Sequence, residues 1–491
     1  MLTRLKVSGF KNLVDVDVHF GPFTCIFGAN GVGKSNLFDA ITFLSALADK
    51  SLVEAAMTVR DENGRNADVK SLFHRFGDEY VKEMRFEAEM IIPKEGQDDL
   101  GQKIEASITF LRYVVEIAYR EEDSPAGVLE LKREELIHIN LGDASKVLLF
   151  PHNKKTWRKS VLSGHRGTPF ISTEKDESGQ TIIKLRQDGG GGRSTRNLAA
   201  KQPRTVISAI STAEAPTVLL ARREMQSWRL LQLEPSALRK TDDFIAPAKL
   251  GMDGAHLAAT LYRLAKPKNG IAIPREDQGR ELRTYSRVAN RLAELIDGVK
   301  SVGIDRDEKR ELLTLFMAER GGIAHSARAL SDGTLRFLAL VVLELDTEAS
   351  GVLCLEEPEN GIHPARIPAM LTLLQDIATD VDESVGSDNP LRQVIINTHS
   401  PSVVISAPDD SILLADPREV MLNGKRSERV IFRCLSDTWR DGLAGISVMA
   451  KSALLPYFSP VPLLILEKRQ QPRRVVDRRE FQPYFPNFFR E

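Results

Sequence analysis

Alternating apolar and polar residues at the start of the chain predict a β-rich N-terminal region. Residues 2–20 fit two short strands on either side of a turn at Gly9 to Asn12. The apolar run from Phe23 to Phe27 leads into a glycine-rich loop, and Ser35 to Ala48 have the pattern of a helix. Longer apolar segments with charged flanks predict further strands at residues 84–93, 104–120 and 127–140.

Helical spacing replaces this alternation in the middle of the chain. It covers residues 217–265 and 281–297, with one helix beginning near Asp253 and Gly254. From residue 321 the pattern predicts an apolar helix after Ser331-Asp332-Gly333, a strand from Val352 to Leu355, a helix after Pro364 and a strand from Gln393 to Asn397. A strand, loop and helix, then a large insertion, then alternating helices and strands predict a split α/β fold.

The same changes of pattern divide the chain into five predicted segments. Residues 1–95 form an N-terminal lobe, 96–215 a β-rich insertion with basic loops, 216–320 a helical insertion, 321–460 a C-terminal lobe and 461–491 a basic, aromatic tail. The basic loops lie at residues 146–166 and 187–204, the second around the run Gly189 to Gly192.

Composition and charge narrow the class of protein. The chain has 491 residues, only three scattered cysteines and a formal net charge of −1, which argues against a disulfide scaffold or a zinc ribbon. It has no signal-like start and no apolar run long enough to cross a membrane. We therefore expect a cytoplasmic protein without a membrane partner, which would need a local basic patch to bind DNA.

The strongest chemical motif is Gly28-Ala29-Asn30-Gly31-Val32-Gly33-Lys34-Ser35, read as G-x-x-x-x-G-K-S between a strand and a helix. Glycines let the backbone N–H groups wrap a triphosphate, and the following helix N-terminus favours the anion. Lys34 would reach the β- and γ-phosphates, and the Ser35 hydroxyl would bind Mg²⁺. An ordinary glycine-rich turn before a helix is the alternative, and the strand–loop–helix context makes it the weaker one.

Further motifs lie at predicted strand ends and at a helix start. The strand Val352 to Leu355 ends in the carboxylates of Glu356 and Glu357, which point to opposite sides. One can hold Mg²⁺ and the other can orient a water, although acidic strand ends are also common on surfaces. His399 ends the last predicted strand, where ligands of α/β proteins collect. Ser331 or Asp332 precedes an apolar helix and would cap it, or would offer a second phosphate-binding terminus.

These four motifs, in this order, resemble the ABC-type ATPase heads of the SMC, RecF and OLD-like families, over roughly residues 1–95 and 320–415. The chain looks most similar to stand-alone AAA-type ATPases of bacterial anti-phage defence systems such as Septu. The resemblance implies an ABC/RecF-like P-loop NTPase head, split by the β-rich and helical insertion, that binds ATP and Mg²⁺.

The resemblance also implies roles for individual residues. Glu357 and His399 match the catalytic base and the switch histidine, Lys34 is the P-loop lysine, and Ser35 with Glu356 would hold Mg²⁺. Residues 330–334 match a signature loop supplied by the opposite subunit, and the loop from Glu359 to Pro364 matches a dimer contact. Nucleotide-binding residues implied in this way are Gly28, Asn30, Gly31, Gly33, Lys34, Ser35, Asn36, Ser331 and Gly333, with Lys11 and Asn12 on the base and ribose side.

The sequence departs from the family at three points. Asp332 stands where many members carry glycine, and Glu356 stands where most carry aspartate. No glutamine occurs between the P-loop and Gln97, so the sequence does not identify the glutamine that couples nucleotide to the rest of the head.

The functional prediction is an ATPase that forms a homodimer or a higher homo-oligomer around ATP and regulates a separate effector protein, a nuclease, in anti-phage defence. Association with double-stranded DNA fits the basic loops, and a RecF-like repair or recombination ATPase is the alternative. The large insertion and the unidentified glutamine argue against a transporter subunit. The 92 residues after His399 contain no acidic pattern of a fused nuclease domain, which argues against a self-contained nuclease.

Overall fold

The computed structural model describes residues 1–59, 69–121, 128–188, 195–199, 202–210, 215–266, 274–422, 424–443, 445–454 and 457. The chain divides into two compact units, Met1–Met449 and Ala450–Glu491. The glycine run Gly189 to Gly192, the basic residues Arg193 and Lys201, and the predicted tail 461–491 lie outside the described residues.

A seven-stranded sheet carries the predicted site. Its strands, in spatial order, are β14 (Arg229–Leu231), β19 (Gly351–Glu356), β20 (Arg392–Thr398), β3 (Phe23–Phe27), β21 (Ile412–Leu422), β22 (Lys425–Leu435) and β23 (Ser447–Met449). The first five are parallel, and β22 runs antiparallel to β21. Every residue of β20 is buried, including the apolar run Val394 to Ile396, so both faces of this strand are covered.

A second, antiparallel sheet of eight strands is built largely from the N-terminal half of the chain. Its order is β13 (Thr195–Leu198), β12 (Thr181–Leu185), β11 (Ile171–Lys175), β10 (Val128–His138), β9 (Phe110–Arg120), β6 (Glu83–Ile91), β1 (Leu2–Ser8) and β2 (Val16–His19). Strands β6 and β9 pair directly, so one sheet runs across the predicted boundary between residues 95 and 96. The five-segment division stays a prediction.

Smaller strand groups complete the β structure. Strands β15 (Asp242–Asp243), β16 (Val299–Asp307), β17 (Leu312–Glu319) and β18 (Ala324–Ser326) form one sheet, and the hairpins are β4 (Arg75–Phe76) with β5 (Glu79–Tyr80) and β7 (Glu95–Gln97) with β8 (Lys103–Glu105). The prediction of helix across residues 217–265 is wrong at β14 and β15. Runs of two or three residues show no period, and their partners β19 and β17 supply the hydrogen bonds.

Helices pack between and around these sheets. They are α1 (Lys34–Leu47), α2 (Leu52–Met57), α3 (Ala144–Val147), α4 (Trp157–Val161), α5 (Pro216–Gln226), α6 (Pro235–Leu238), α7 (Leu257–Ala265), α8 (Pro274–Leu295), α9 (Asp332–Leu345), α10 (Ile367–Ile377) and α11 (Pro401–Ser406). Helix α1 buries Phe43 against Phe10 and Phe86 of the antiparallel sheet region, which seats the helix after the glycine-rich loop. Across the described part of the chain, the helices are too short or too polar to span a bilayer.

Helix α9, which follows the predicted signature loop, is held at its C-terminal end by Arg392. The buried guanidinium donates to the carbonyl oxygens of Leu343 at 2.7 Å and of Asp346 at 3.2 Å. The last carbonyls of a helix lack partners within it and carry partial negative charge, so a cation there satisfies both needs. Because Arg392 begins β20, the helix is fixed to the strand whose other end carries Asn397 and His399.

Candidate active site

Four strands end at the same edge of the parallel sheet and enclose a cavity of about 600 Å³. Strands β3, β14, β19 and β20 are parallel neighbours, so their carboxyl ends lie together, where α/β folds bind ligands. The cavity is lined by many of the residues predicted from sequence, namely Lys11, Asn30, Gly31, Gly33, Lys34, Ser35, Asn36, Glu356 and Glu357.

The loop between β3 and α1 folds over the ammonium group of Lys34. Gly31 and Gly33 have φ angles of 79° and 107°, which side chains disfavour. Lys34 Nζ donates to the carbonyl oxygens of Gly28 at 2.9 Å and of Ala29 at 2.8 Å. Gly33 is the N-cap of α1, so the unpaired N–H groups of that helix end face the cavity side of the loop.

Asn12 braces this loop from outside the cavity. Its Nδ2 donates to the Val32 carbonyl at 2.8 Å, and its Oδ1 accepts from Asn36 Nδ2 at 2.9 Å. A Cβ on Gly33 would lie only 2.3 Å from Asn12 Nδ2, so the amide occupies the space that any larger residue would need. Gly33 therefore meets two requirements, a positive φ and the close approach of Asn12.

Lys11 lies at the edge of the same cavity in a left-handed conformation, with a φ of 46°. Its Nζ is 2.8 Å from the Asp39 carboxylate on the first helix. Both groups are largely buried, so the pair ties the turn after β1 to α1. The assignment of Lys11 and Asn12 to the base and ribose side stays a prediction; in this chain they contact α1 and the P-loop itself.

Glu356, the last residue of β19, accepts hydrogen bonds from two sides. Gln232 Nε2 donates to one carboxylate oxygen, and Asn397 Nδ2 donates to the other at 3.3 Å. Gln232 directly follows β14, the strand beside β19, and it lines the cavity. It is a site residue that the sequence analysis missed. The apolar run Leu230-Leu231 ending in a glutamine was the available signal.

Glu357 has an unusual backbone conformation and several hydrogen bonds. Its φ of 43° is unusual for a residue with a side chain, and its N–H is held by Asn397. Its carboxylate accepts from Asn360 Nδ2 at 2.9 Å and lies 2.6 Å from His399 Nδ1. The contact ties the Glu357 carboxylate to the residue that directly follows β20. The bonds aim a half-exposed carboxylate at the cavity that also contains Lys34.

The pKa values of charged groups around the cavity are shifted by burial and by neighbouring charges in opposite directions. Burial lowers the pKa of the Lys34 ammonium, while the carboxylates of Glu357 and Glu359 work in the opposite direction. Burial raises the pKa of Glu359, which accepts a hydrogen bond from Thr398 Oγ1. Glu359 Oε2 is buried without a partner in the described residues. Charged groups in a low-dielectric site interact more strongly than in water, which suits the binding of a polyanion with its cation.

The predicted signature loop lies apart from this cavity. Ser331 is exposed, and its Oγ caps α9 by accepting from the Thr334 N–H at 3.2 Å. Asp332, the departure from glycine, pairs with Arg239, which also donates to the Leu330 carbonyl at 2.9 Å. Neither Ser331 nor Gly333 lines the cavity formed by the P-loop of the same chain. The structure therefore groups the other motifs and leaves Ser331 and Asp332 of the signature loop exposed to solvent.

The residues at the cavity fit a magnesium–nucleotide complex. Mg²⁺ prefers oxygen ligands and binds through one or two protein groups plus phosphates and waters. Ser35 and Glu356 both line the cavity and supply such oxygens. Within the described ranges, no group of three or more histidine, cysteine or acidic side chains forms a self-sufficient metal site.

Comparisons with known protein families agree with this geometry. A family model described as "AAA domain, putative AbiEii toxin, Type IV TA system" matches residues 236–406. A second model, described as "AAA domain", matches residues 4–116. Each covers less than half of the chain. The first contains the signature loop, Glu356, Glu357 and His399, and the second contains the P-loop.

Individual relatives match over short stretches. A DNA replication and repair protein RecF from Bacteroides fragilis is 46% identical over 46 residues, which are 9% of this chain and 12% of that protein. An OLD nuclease from Thermus scotoductus is 49% identical over 41 residues, 8% of each chain. The match thus spans about an eighth or less of the relatives' lengths.

Among solved structures, an Smc head bound to the C-winged helix domain of ScpA has a TM-score of 0.43 at 15% identity, covering 88% of this chain and 97% of that one. The SMC head domain from Thermotoga maritima has a TM-score of 0.37 at 12% identity, covering 88% and 98%. These are loose similarities. The family models support a P-loop ATPase of the AAA type, and the chain is similar to RecF and OLD proteins over short stretches.

Proposed function

We propose that this chain hydrolyses Mg²⁺-ATP in the cavity at the ends of β3, β14, β19 and β20. The observation that carries the proposal is the carboxylate of Glu357, held between His399 and Asn360 beside the Lys34 ammonium. An oriented carboxylate next to a phosphate-binding loop has the geometry needed to position an attacking water.

Each residue would contribute to binding or to proton movement. The N–H groups from Asn30 to Asn36 would bind the phosphates, and Lys34 would exchange its carbonyl partners for β- and γ-phosphate oxygens. Mg²⁺ held by Ser35 and Glu356 would neutralise the charge of the β- and γ-phosphates. Glu357 would accept a proton from water, and His399 would hold that carboxylate in position.

We further propose that two copies sandwich ATP head to head. The support is that Ser331 does not line its own chain's cavity: Ser331 and Asp332 are exposed at the N-terminus of α9. Such a terminus, with a hydroxyl at its cap, suits a phosphate. In this arrangement Ser331 and Gly333 of one copy would complete the site of the other, and larger homo-oligomers remain compatible with it.

The wider role that we propose is control of a separate effector, a nuclease, in anti-phage defence, in association with double-stranded DNA. The names of the RecF and OLD relatives connect this group to DNA repair and to nuclease activity. Lys154, Lys155 and Lys159 are exposed and support DNA contact. The acidic loop 380–388 argues against DNA contact, because it packs beside these lysines. Thr156 Oγ1 donates to the Asp382 carbonyl of that loop at 2.6 Å. The RecF matches favour a repair or recombination ATPase as the second candidate.

The test is ATP turnover of the purified chain with and without double-stranded DNA, with assembly followed by light scattering. Glu357→Gln should bind ATP, lose turnover and accumulate as an ATP-bound dimer, whereas Lys34→Ala should lose nucleotide affinity. Replacing Lys154, Lys155 and Lys159 by glutamate should reduce any stimulation by DNA, and that stimulation should fall with salt. Turnover per chain that is independent of protein concentration and of Ser331 would overturn the sandwich.

A further inference from the structure

The N-terminal turns of α9 touch the loop that carries Glu357. Arg336, on the second turn of α9, donates from Nη1 to the Asn360 carbonyl. Asn360 in turn donates from Nδ2 to Glu357 Oε2 at 2.9 Å. A Cβ on Gly333 would lie 2.9 Å from the Gly361 carbonyl, so the two backbones are in close contact as well. The signature helix and the Glu357 loop of one chain therefore meet at two points.

Arg336 is also unusual in its surroundings. Its side chain lines the same cavity as Lys34 and Glu357, and its Nε is buried without a partner in the described residues. Burial lowers the pKa of Arg336, and the carboxylate of Glu234 works against that effect. A guanidinium keeps its charge at neutral pH, so partial burial with an unused donor carries a cost. Because this cost is kept beside the Glu357 carboxylate, we infer that Arg336 has a function at that site.

Helix α9 is suited to transmit a displacement. Its C-terminal end is fixed by Arg392, and its first turns connect Ser331 to Arg336 within one rigid segment of six residues. Ser331 is exposed at one end of that segment, and Arg336 holds Asn360 at the other. A shift of Ser331 by a bound phosphate must therefore move the contact that orients Glu357.

We propose that Arg336 is a positioning residue that couples the signature loop of each chain to the Glu357 of that same chain. Contact of Ser331 with nucleotide held by a second copy would then adjust, through Arg336 and Asn360, hydrolysis in the chain's own cavity. The coupling rests on the sandwich proposed above. It makes the two sites of a dimer dependent on each other.

Mixed dimers of two differently tagged chains test this coupling, with one chain carrying Glu357→Gln so that only the other hydrolyses ATP. Arg336→Gln in the hydrolysing chain should lower kcat by about tenfold, the effect of one oriented hydrogen bond near a charge, and should leave ATP affinity within about twofold. The same substitution in the silent chain should leave turnover unchanged. Arg336→Lys should recover part of kcat, and Arg283→Gln, an exposed arginine on α8, serves as the matched control.

A second arm addresses Ser331 at concentrations where light scattering shows full assembly. Ser331→Ala in the hydrolysing chain should lower the turnover of that same chain. This is expected even though the nucleotide in its cavity contacts the Ser331 of the other chain. That loss should disappear when Arg336→Gln is already present, because the connection is already broken. Full activity of Arg336→Gln in the hydrolysing chain, or loss only when it sits in the silent chain, would overturn the coupling alone. A wild type without turnover or assembly would overturn the proposed function and the coupling with it.

Discussion

The contact between Gly33 and Asn12 gives a quantitative test of how the P-loop is held. In Gly33→Ala, the new Cβ would meet the Asn12 amide at 2.3 Å in a backbone with a φ of 107°. Gly31→Ala is the matched control, since Gly31 has a φ of 79° but nothing within 4 Å of its Cβ position. Both variants carry the backbone penalty of about 1–2 kcal/mol for a positive φ. Only Gly33→Ala also displaces Asn12.

The additional cost follows from the bonds of Asn12. Its amide makes two hydrogen bonds, to the Val32 carbonyl and from Asn36 Nδ2, and each contributes about 1 kcal/mol. Displacing the amide should cost about 2 kcal/mol beyond the common penalty. Because the loop must hold this shape to wrap the phosphates, we expect the cost to be met on binding, as a roughly 30-fold loss of affinity. We therefore expect Gly33→Ala to weaken Mg²⁺-ATP binding about 30-fold more than Gly31→Ala does.

The assay is calorimetric titration of Mg²⁺-ATP into each variant in a Glu357→Gln background, which prevents turnover. Thermal unfolding of each variant checks that the fold persists. A double-mutant cycle with Asn12→Ala isolates the clash, because removing the amide makes room for the new Cβ. Equal losses for Gly31→Ala and Gly33→Ala, or strict additivity with Asn12→Ala, would refute this account of the loop.

Three further predictions concern the signature, the cation and a buried carboxyl. Ser331→Asp should keep the melting temperature, since aspartate caps a helix as well as serine, yet lose ATP-dependent dimers in light scattering; intact dimers would contradict the phosphate-contact role. Gln232→Ala should raise the free Mg²⁺ needed for half-maximal turnover by about tenfold or more, because it removes a donor that orients Glu356, and an unchanged Mg²⁺ requirement would show that this bond is dispensable. Burial raises the pKa of Glu134 from 4.5 to about 7, so the folded state binds this proton more tightly and loses stability as pH rises through that window. Glu134→Gln should reduce the difference between urea midpoints measured at pH 5 and pH 8, and an unaltered difference would rule out this group as its source.

Local patterns were enough to predict the elements that carry the chemistry. The strand Phe23–Phe27 has the predicted ends, and the helix after it begins one residue earlier than expected, at Lys34. The strands ending at Glu356 and Thr398 also lie where alternating and continuous apolar runs predicted them. These elements can be predicted because glycine-rich loops, acidic pairs and buried strands are formed by consecutive residues. The backbone preferences of such residues act locally.

What surrounds those motifs was decided by tertiary packing. Gln232 reaches Glu356 across 124 positions of sequence, from a three-residue strand that no periodicity reveals. Asn12 fills the space behind Gly33, and the departure at Asp332 is matched by Arg239. The sequence alone therefore determined which side chains are candidates for binding and catalysis, because the motifs are local. Only the folded sheets decided which groups support them, since these contacts depend on how distant strands and helices pack.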